Sequence, residues 1–206
     1  MMIVEESIPF ALGVDTVMEL STQSCRVLVR EGIHFAVRYL GRVTPDEVGR
    51  ILCSGLAFMP VTTSRGHGWV PSKTLGLADG VNALGYLSTL GIPKGCTVWL
   101  DLEGCSGPAE ATAAWVNAWS WSMRDAGYEA GLYVGSNPGG LDSEALWKLP
   151  STTRYWRSCS RVPEPANRGW CMQQLKPWNY RYGNLTVDFN VIENDYFGDR
   201  PKWVVG

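Results

Sequence analysis

Two carboxylates two residues apart, Asp101 and Glu103, end an apolar run in the segment Thr97-Val-Trp-Leu-Asp-Leu-Glu-Gly104. Successive side chains of a β-strand point to opposite faces, so Trp99, Asp101 and Glu103 share one face. Two carboxylates about 6–7 Å apart on that face oppose each other's ionisation, so one of them retains its proton more strongly than in water. A retained proton is what a general acid needs. The spacing predicts acid–base chemistry, whereas a solvated strand end with two surface acids is the alternative.

Polar side chains also interrupt the apolar pattern of other predicted strands. Asp15 ends the first strand, and Arg38 lies in the second, each opposite to apolar neighbours. Asp188 and Asn190 share one face of the last strand. Because several strands follow the same alternation, we expect their polar groups to point into one interior. The residues predicted to meet there are Asp15, Arg38, Asp101, Glu103 and Asp188.

Strand-like and helix-like segments alternate along the chain. The predicted strands cover residues 10–16, 35–40, 56–62, 97–103, 129–135, 155–158, 170–175 and 186–192. Helices are predicted at 22–31, at 74–90, at 108–126, at 143–149 and from Pro45, which follows the N-cap residue Thr44. This order predicts a parallel sheet closed into one (β/α)8 TIM-like barrel over residues 1–206, with shortened or missing helices in the C-terminal half. In such barrels the catalytic groups lie at the C-terminal ends of the strands.

Composition and charge narrow the classes of function. The net charge is −2 and no cluster of Lys and Arg is present, so neither nucleic acid nor an anionic membrane is expected as a partner. No apolar run reaches about 18 residues, so no transmembrane helix is expected. The N-terminus has neither the basic nor the apolar region of a secretory signal, and synthesis in the cytoplasm is expected. Ten Trp and 23 Gly fit a carbohydrate-facing surface as well as plain core filling.

The six cysteines form no CxxC pair and no zinc-binding spacing. Free and mostly buried thiols are expected, with a Cys159–Cys171 disulfide as the alternative. No cofactor and no metal is predicted, although a cluster of Asp and Glu would suit Mg²⁺ or Ca²⁺ better than zinc. Of the two histidines, His34 is expected to be a packing or surface residue. His67 lies in the loop Arg65-Gly-His-Gly-Trp69, which is expected at the barrel mouth, within reach of a substrate.

A series of short motifs resembles one known family. These motifs are Gly13-Val-Asp15, Arg38-Tyr-Leu40, Thr44-Pro-Asp-Glu47, Ala78-Asp-Gly80, Leu90-Gly-Ile-Pro93, Asp101-Leu-Glu103, Gly127-Tyr128, Gly131-Leu-Tyr133 and Val187-Asp-Phe-Asn190. From about residue 10 to 198 the chain resembles the glycoside-hydrolase-like barrel called domain of unknown function 1906, a relative of the family 25 lysozymes. Those lysozymes have an acid ending the first strand, a D-x-E on a middle strand and an Asp on the last. Their W-Q-Y strand is replaced here by Cys171-Met-Gln-Gln174, in which either glutamine can point inward.

The resemblance implies a glycoside hydrolase of the lysozyme or muramidase type, which cleaves the β-1,4 bond between MurNAc and GlcNAc in peptidoglycan. It assigns the role of general acid to Glu103, and it implies retention of configuration, with the substrate's own 2-acetamido group as the candidate nucleophile. Asp101 would orient that group, while Asp15 and Asp188 would fix Asp101 and the sugar hydroxyls or position the water. Substrate contacts are expected from Arg38, Trp99, Tyr133, Gln174 and His67. For Arg38, which could pair with one of the acids, a purely structural buried salt bridge is the alternative.

Other functions stay open on the residues alone. They are a catalytically inactive glycan-binding barrel, a hydrolase acting on a different glycan, and a metal-dependent hydrolase. A peptidoglycan enzyme of this kind is expected to be a monomer that meets the cell wall after lysis, or after delivery by a secretion or phage system. An endolysin, a bacteriolytic effector and a cytoplasmic recycling enzyme all fit, and a delivery or targeting protein is a further expected partner.

Overall fold

The computed structural model describes residues 1–206 as ten strands and five helices. The strands are β1 (Ile3–Glu6), β2 (Leu12–Thr16), β3 (Phe35–Tyr39), β4 (Ala57–Val61), β5 (Thr97–Leu102), β6 (Glu129–Val134), β7 (Arg154–Arg157), β8 (Met172–Tyr182), β9 (Leu185–Ile192) and β10 (Lys202–Val205). The helices are α1 (Thr22–Arg30), α2 (Pro45–Cys53), α3 (Lys73–Leu90), α4 (Ala109–Asp125) and α5 (Ser143–Trp147). Strands β2 to β9 close into a barrel, because β4 also pairs with β5. The predicted TIM-like barrel, with few helices in its C-terminal half, is confirmed.

One strand of the barrel runs against the predicted direction. From β2 to β8 the neighbouring pairs are parallel, but β9 is antiparallel to both β8 and β2. Only two residues, 183 and 184, separate β8 from β9. A connection this short joins antiparallel strands, since a parallel pair requires a crossover of about a dozen residues or more. The expectation of a wholly parallel sheet is therefore wrong.

Two short strands that were not predicted complete the wall of the barrel. Strand β10 lies antiparallel between β1 and β4, where Val204 pairs with Phe58. Strands β4 and β5 meet through a single pair, Val61 and Trp99. Strand β10 therefore fills the space that β4 and β5 leave between them at the end of the barrel opposite to the mouth.

Apolar side chains form two separate cores. The larger core lies between the barrel and the helices, and it includes Trp115 and Trp119 of α4. The smaller core fills the barrel interior, with Phe35, Trp99 and Trp156 among its members. Because the interior is packed rather than hollow, polar groups that act on a ligand are restricted to the end of the barrel.

Local sequence signals set the ends of the helices around this barrel. The hydroxyl of Thr44 accepts a hydrogen bond from the backbone N–H of Glu47 (3.2 Å), and Pro45 begins α2, as predicted. Helix α3 is followed by the C-cap residue Gly91, whose φ of 67° places it in the left-handed region that glycine favours. None of the helices combines the length and the apolar character that crossing a membrane would require. All six thiols are free, as expected.

Candidate active site at the barrel mouth

Four carboxyl groups meet at one end of the barrel. Asp15 of β2 and Asp188 of β9 are partners in the antiparallel ladder, and the side-chain amide of Gln174 donates a hydrogen bond to each of them at 3.2 Å. Asp101 and Glu103 lie at the end of β5. The charges of Glu103 and Asp15 are close enough to Asp101 to add to the increase in its pKa that burial causes. The structure thus brings together the four predicted acids, which we call the acid cluster. Their catalytic roles stay predictions at this point.

Asp15 lies deepest in the acid cluster and is almost completely buried. Burial raises its pKa to about 7, and the neighbouring charge of Asp188 adds to the shift. Two amide groups limit the increase by donating hydrogen bonds to Asp15 Oδ2, from Asn190 Nδ2 at 2.8 Å and from Gln174 Nε2 at 3.2 Å. Asn190 is itself oriented by the indole N–H of Trp156, which donates to its Oδ1 at 2.9 Å. The carboxyl group is consequently held in one position whether or not it is ionised.

Gln174 is the glutamine of β8 that points inward, which resolves the choice between Gln173 and Gln174. Its Oε1 accepts hydrogen bonds from the hydroxyl of Tyr133 (3.2 Å) and from the backbone N–H of Cys159 (3.4 Å). Its Nε2 donates to two carboxylates of the acid cluster. With both ends of the amide occupied, its orientation is fixed, and it connects strands β2, β6, β8 and β9.

Asp101 is 5% exposed, and its Oδ1 has no hydrogen-bond partner within the protein. Its pKa lies well above the usual range because of burial first, and then because of the charges of Glu103 and Asp15. The backbone N–H of Asp101 donates to the hydroxyl of Thr62 at 2.9 Å, which fixes the end of β5. Asp101 also lines a cavity of about 290 Å³ between α3 and the segment that follows β4. A buried carboxyl oxygen without a partner is suited to bind a hydrogen-bond donor of a ligand.

Glu103 is only half-buried, in contrast to Asp101. It follows β5 directly and lies across the end of β6, where a Cβ atom on Gly135 would come within 2.5 Å of the Glu103 Cβ. Burial raises the pKa of Glu103, and the charge of Asp188 raises it further. The charge of His67 and a hydrogen bond with Ser64 lower it. Glu103 therefore combines access to the mouth with a raised pKa, so its carboxyl group keeps its proton to a higher pH than a free glutamate does.

His67 lies at the mouth, as predicted, because the segment between β4 and α3 is fastened beside Glu103. The backbone N–H of Gly68 donates to the carbonyl of Gly104 at 2.8 Å, and the indole N–H of Trp69 donates to the carbonyl of Glu103 at 2.8 Å. His67 is exposed, with its ring against Gly104. This segment supplies the imidazole that faces Glu103.

Arg38 does not point into the mouth, and the inward orientation predicted for it is wrong. Its guanidinium is buried on the outer side of the barrel, where Nε is 2.6 Å from Glu47 Oε1 of α2. It also donates to the carbonyl of Thr16 at the end of β2. Both faces of β3 are covered by apolar groups, so the position of the charged residue does not indicate which face points into the barrel. The substrate contact expected of Arg38 has no support in this position.

Trp99 does point into the barrel but lies below the mouth. It is completely buried, and its ring packs at 5.6 Å between centroids against Trp156 and directly against Gly131, where any Cβ atom would clash. Trp99 therefore forms the floor beneath the acid cluster, and the direct substrate contact expected of it has no support either. Tyr133, by contrast, lies beside the cluster through its hydrogen bond to Gln174.

Tyr39 is a site residue that sequence reasoning missed. It occupies the mouth end of β3, and burial raises its hydroxyl pKa, with further contributions from the charges of Asp15 and Asp101. The signal was available, because Phe35 and Val37 precede it on the same face and both lie inside the barrel. Phe35 and Val37 identify the face of β3 that points into the barrel. Alternation from these two residues predicts that Tyr39 shares this face and that Arg38 does not.

The geometry of the acid cluster suits proton transfer. No set of three or more His, Cys, Asp or Glu side chains in residues 1–206 is arranged to hold a metal ion. The carboxyl groups are instead separated and oriented by amides, hydroxyls and an indole. The half-buried Glu103, beside the two buried acids Asp15 and Asp101 of raised pKa, can give a proton to, and accept one from, a ligand at the mouth.

Solved structures share this fold at low sequence identity. An uncharacterized B. stearothermophilus protein aligns with a TM-score of 0.70 and 20% identity, over 89% of this chain and 96% of that one. The Mycobacterium tuberculosis Tat-secreted protein Rv2525c, in complex with L-tartrate, aligns with a TM-score of 0.67 and 14% identity, over 92% and 98%. The bacterial lysozyme from Streptomyces coelicolor aligns with a TM-score of 0.61 and 12% identity, over 90% and 93%. These likenesses show the fold alone.

Sequence comparison gives the family. No curated protein matches the chain at a significant level. The sequence model of the Rv2525c-like, glycoside hydrolase-like domain matches residues 26–191, which is most of the barrel and includes Asp101, Glu103, Gln174 and Asp188. This chain therefore belongs to the Rv2525c-like family of glycoside hydrolase-like domains.

Proposed function

We propose that this protein is a glycosidase of the lysozyme or muramidase type, which cleaves the β-1,4 bond between MurNAc and GlcNAc in peptidoglycan. The observation that carries the proposal is the acid cluster at the mouth of a glycoside hydrolase-like barrel. Similar folds include the Streptomyces coelicolor lysozyme and the modular autolysin LytC from Streptococcus pneumoniae, which was solved with a synthetic peptidoglycan ligand. This chain covers 46% of the LytC chain.

Glu103 is the proposed general acid. It is half-buried, so its proton can reach a ligand while burial raises its pKa. The charge of His67 and the hydroxyl of Ser64 oppose that increase, which keeps the carboxyl group able to ionise after it has given up its proton. A catalytic acid works best when its pKa lies near the working pH. In the first step the Glu103 proton passes to the glycosidic oxygen as the bond from that oxygen to C1 breaks.

Asp101 is the proposed partner of the substrate's 2-acetamido group. Its buried Oδ1, which has no hydrogen-bond partner in the protein, would accept the N–H of that group, while the acetamido carbonyl oxygen attacks C1. The positive charge that develops on the resulting ring is stabilised by the Asp101 oxygen that accepts its N–H. Water then attacks C1 and gives a proton back to Glu103, so two successive inversions leave the configuration retained.

The remaining acids would position these two. Asp15 and Asp188 are connected through Gln174, and Asp188 is partly exposed, so it can also meet sugar hydroxyls. Tyr133 contributes through its hydrogen bond to Gln174. In this arrangement a change in Gln174 affects the geometry of both acids without removing any acidic group.

Digestion of purified sacculi tests the proposal. The protein should release soluble muropeptides whose reducing ends are MurNAc, identified by borohydride reduction and mass spectrometry. Binding to sacculi without fragments would instead indicate an inactive glycan-binding barrel, and release of stem peptides would indicate an amidase. Digestion of chitin but not of sacculi would indicate a different glycan, and loss of activity with EDTA would indicate a metal-dependent reaction.

Gln174→Ala should lower kcat/KM on sacculi by about tenfold, since hydrogen bonds to charged groups contribute roughly 1.5–3 kcal/mol. The reason is that Asp15 and Asp188 both lose the amide that orients them. Gln173→Ala is the matched control, because Gln173 makes no side-chain hydrogen bond and points away from the mouth. Equal rates for the two variants, measured as reducing ends formed per minute, would contradict the assigned role.

The proposed substrate lies in the cell wall, so the protein must meet it there. We propose release by lysis or delivery by a secretion or phage system, with a targeting protein as a partner. Fractionation of producing cells before and after lysis distinguishes these routes from cytoplasmic recycling.

A further inference from the structure

Strand β8 carries an irregularity directly beside the acid cluster. Leu175 of β8 pairs with Phe189 of β9, and the next pair is Tyr180 with Val187. Four residues of β8, 176–179, therefore lie opposite a single residue of β9, Asp188. The backbone N–H of Asn179 donates a hydrogen bond to Asp188 Oδ1. We call residues 176–179 the bulge. Through this hydrogen bond the bulge is attached to the acid cluster and forms one edge of the mouth.

Aromatic packing supports the bulge on the side of the turn between β8 and β9. Tyr180 and Tyr182 of β8 lie 5.3 Å apart between ring centroids, and both pack against Phe189 of β9, at 5.3 and 6.2 Å. These contacts join the two strands immediately beyond the bulge. The bulge is therefore held between a packed hairpin and a hydrogen bond to the site.

The bulge presents an indole and a cation together. Trp178 is 55% exposed, and the ammonium of Lys176 lies 5.6 Å from the centre of its ring. Lys176 makes no ion pair with any carboxylate of the chain. Lys176 also lies near enough to the mouth to influence Cys159, whose thiol is 3.4 Å from Gln174 Oε1. Burial raises the pKa of that thiol, and the charge of Lys176 offsets a part of the increase.

The chemistry of this pair favours one kind of ligand. The flat face of an exposed indole suits the apolar face of a pyranose ring, and ligand sites combine such surfaces with a few polar groups that set orientation. An unpaired ammonium beside the ring attracts an anion. The acid cluster repels anions, so an anionic group of a ligand that spans both regions would lie on the bulge.

We propose that the bulge is a sugar subsite in which Trp178 stacks on a pyranose ring and Lys176 binds a carboxylate that this sugar carries. The inference rests on the proposed function, since it takes the glycan in the acid cluster to continue over the bulge. In peptidoglycan the lactyl group of MurNAc supplies such a carboxylate when it bears no stem peptide, and the peptide supplies one when it is attached.

Calorimetric titration with glycan strands freed of stem peptides tests the stacking. In the Glu103→Gln background, which prevents turnover, Trp178→Ala should weaken binding by about tenfold. Trp121→Ala is the matched control, because Trp121 of α4 is 46% exposed and lies 5.1 Å from the guanidinium of Arg124. It should bind within about twofold of the parent. Equal affinities of the two Trp variants, with unchanged Tm, would overturn the proposal.

Lys176→Ala tests the carboxylate. It should weaken binding of the peptide-free strands by about tenfold and that of the neutral chitohexaose by less than about twofold, while Lys176→Arg retains affinity. An effect confined to intact sacculi would identify the stem peptide as the source of the carboxylate. Equal losses on the neutral and the anionic strands would overturn recognition of a carboxylate.

These experiments distinguish an error in the proposed subsite from an error in the proposed hydrolysis. If the unmodified protein releases no reducing ends but binds strands in a Trp178-dependent manner, the proposed hydrolysis is wrong and the subsite stands. If it hydrolyses sacculi and Trp178→Ala binds like Trp121→Ala, the proposed function stands and the subsite is wrong.

Discussion

Glu103→Gln is expected to lower the rate of sacculus hydrolysis by roughly 10²–10⁴-fold, the range that a positioned general acid contributes. Glutamine has nearly the same size as glutamate and can occupy the same place against Gly135. It has no proton to give to the glycosidic oxygen, so the leaving sugar would depart as an unstabilised alkoxide. The rate of appearance of reducing ends under single-turnover conditions measures the chemical step.

Glu110→Gln provides the control for this substitution. Glu110 is an exposed residue in the first turn of α4, and its side chain has no hydrogen-bond partner. Its variant should hydrolyse sacculi within about twofold of the parent rate. If Glu103→Gln keeps more than about a tenth of the parent rate and a native near-UV spectrum, Glu103 does not act as the general acid.

Asp15→Asn is expected to stabilise the protein at neutral pH, by about 4 kcal/mol at most. The pKa of Asp15 rises from 3.8 to about 7 on folding, chiefly because of burial. The native state therefore binds this proton more strongly than the unfolded state, so its contribution to stability decreases as pH rises from about 4 to 7 and is constant above that range. Asparagine removes the desolvated charge, and its oxygen can still accept from Asn190 and Gln174.

Guanidinium unfolding at a series of pH values measures this effect. Between pH 4 and 7 the free energy of unfolding should decline less steeply for Asp15→Asn than for the parent, and the two should converge towards pH 4. Glu5→Gln is the control, because Glu5 is exposed on β1 and its side chain has no partner. A variant less stable than the parent at pH 7 would contradict the burial of an unfavourable charge at Asp15.

Alternation along single strands predicted the acid cluster correctly where the apolar row was unambiguous. On β5 the row of Val98, Leu100 and Leu102 packs under the helices. The acids, on the opposite face of this strand, therefore point into the barrel. On β3 the same rule failed, because apolar residues occupy both faces. The buried Arg38 on this strand is paired with Glu47 of α2, and the alternation along one strand gives no sign of a partner on a neighbouring helix.

Long-range pairing accounts for what the sequence did not reveal. Strands β1 and β10 have four residues each and pair with each other from opposite ends of the chain. The extension of β8 to Tyr182 includes a bulge and mostly exposed residues, so no alternating apolar row marks it. The two glutamines of β8 were equivalent by residue type, and only the closure of the barrel against β9 determined which one faces inward.

The amide that joins two of the acids has a consequence for how the site responds to acidity. Gln174 has no ionisable group, so in its contacts with Asp15 and Asp188 only the carboxyl partner gains or loses charge. A lysine or histidine in its place would hold the carboxylates more tightly in one range of pH and release them in another. The scaffold of the mouth should consequently keep its shape while the protonation of the carboxyl groups varies, and changes of rate with pH then report proton occupancy rather than rearrangement.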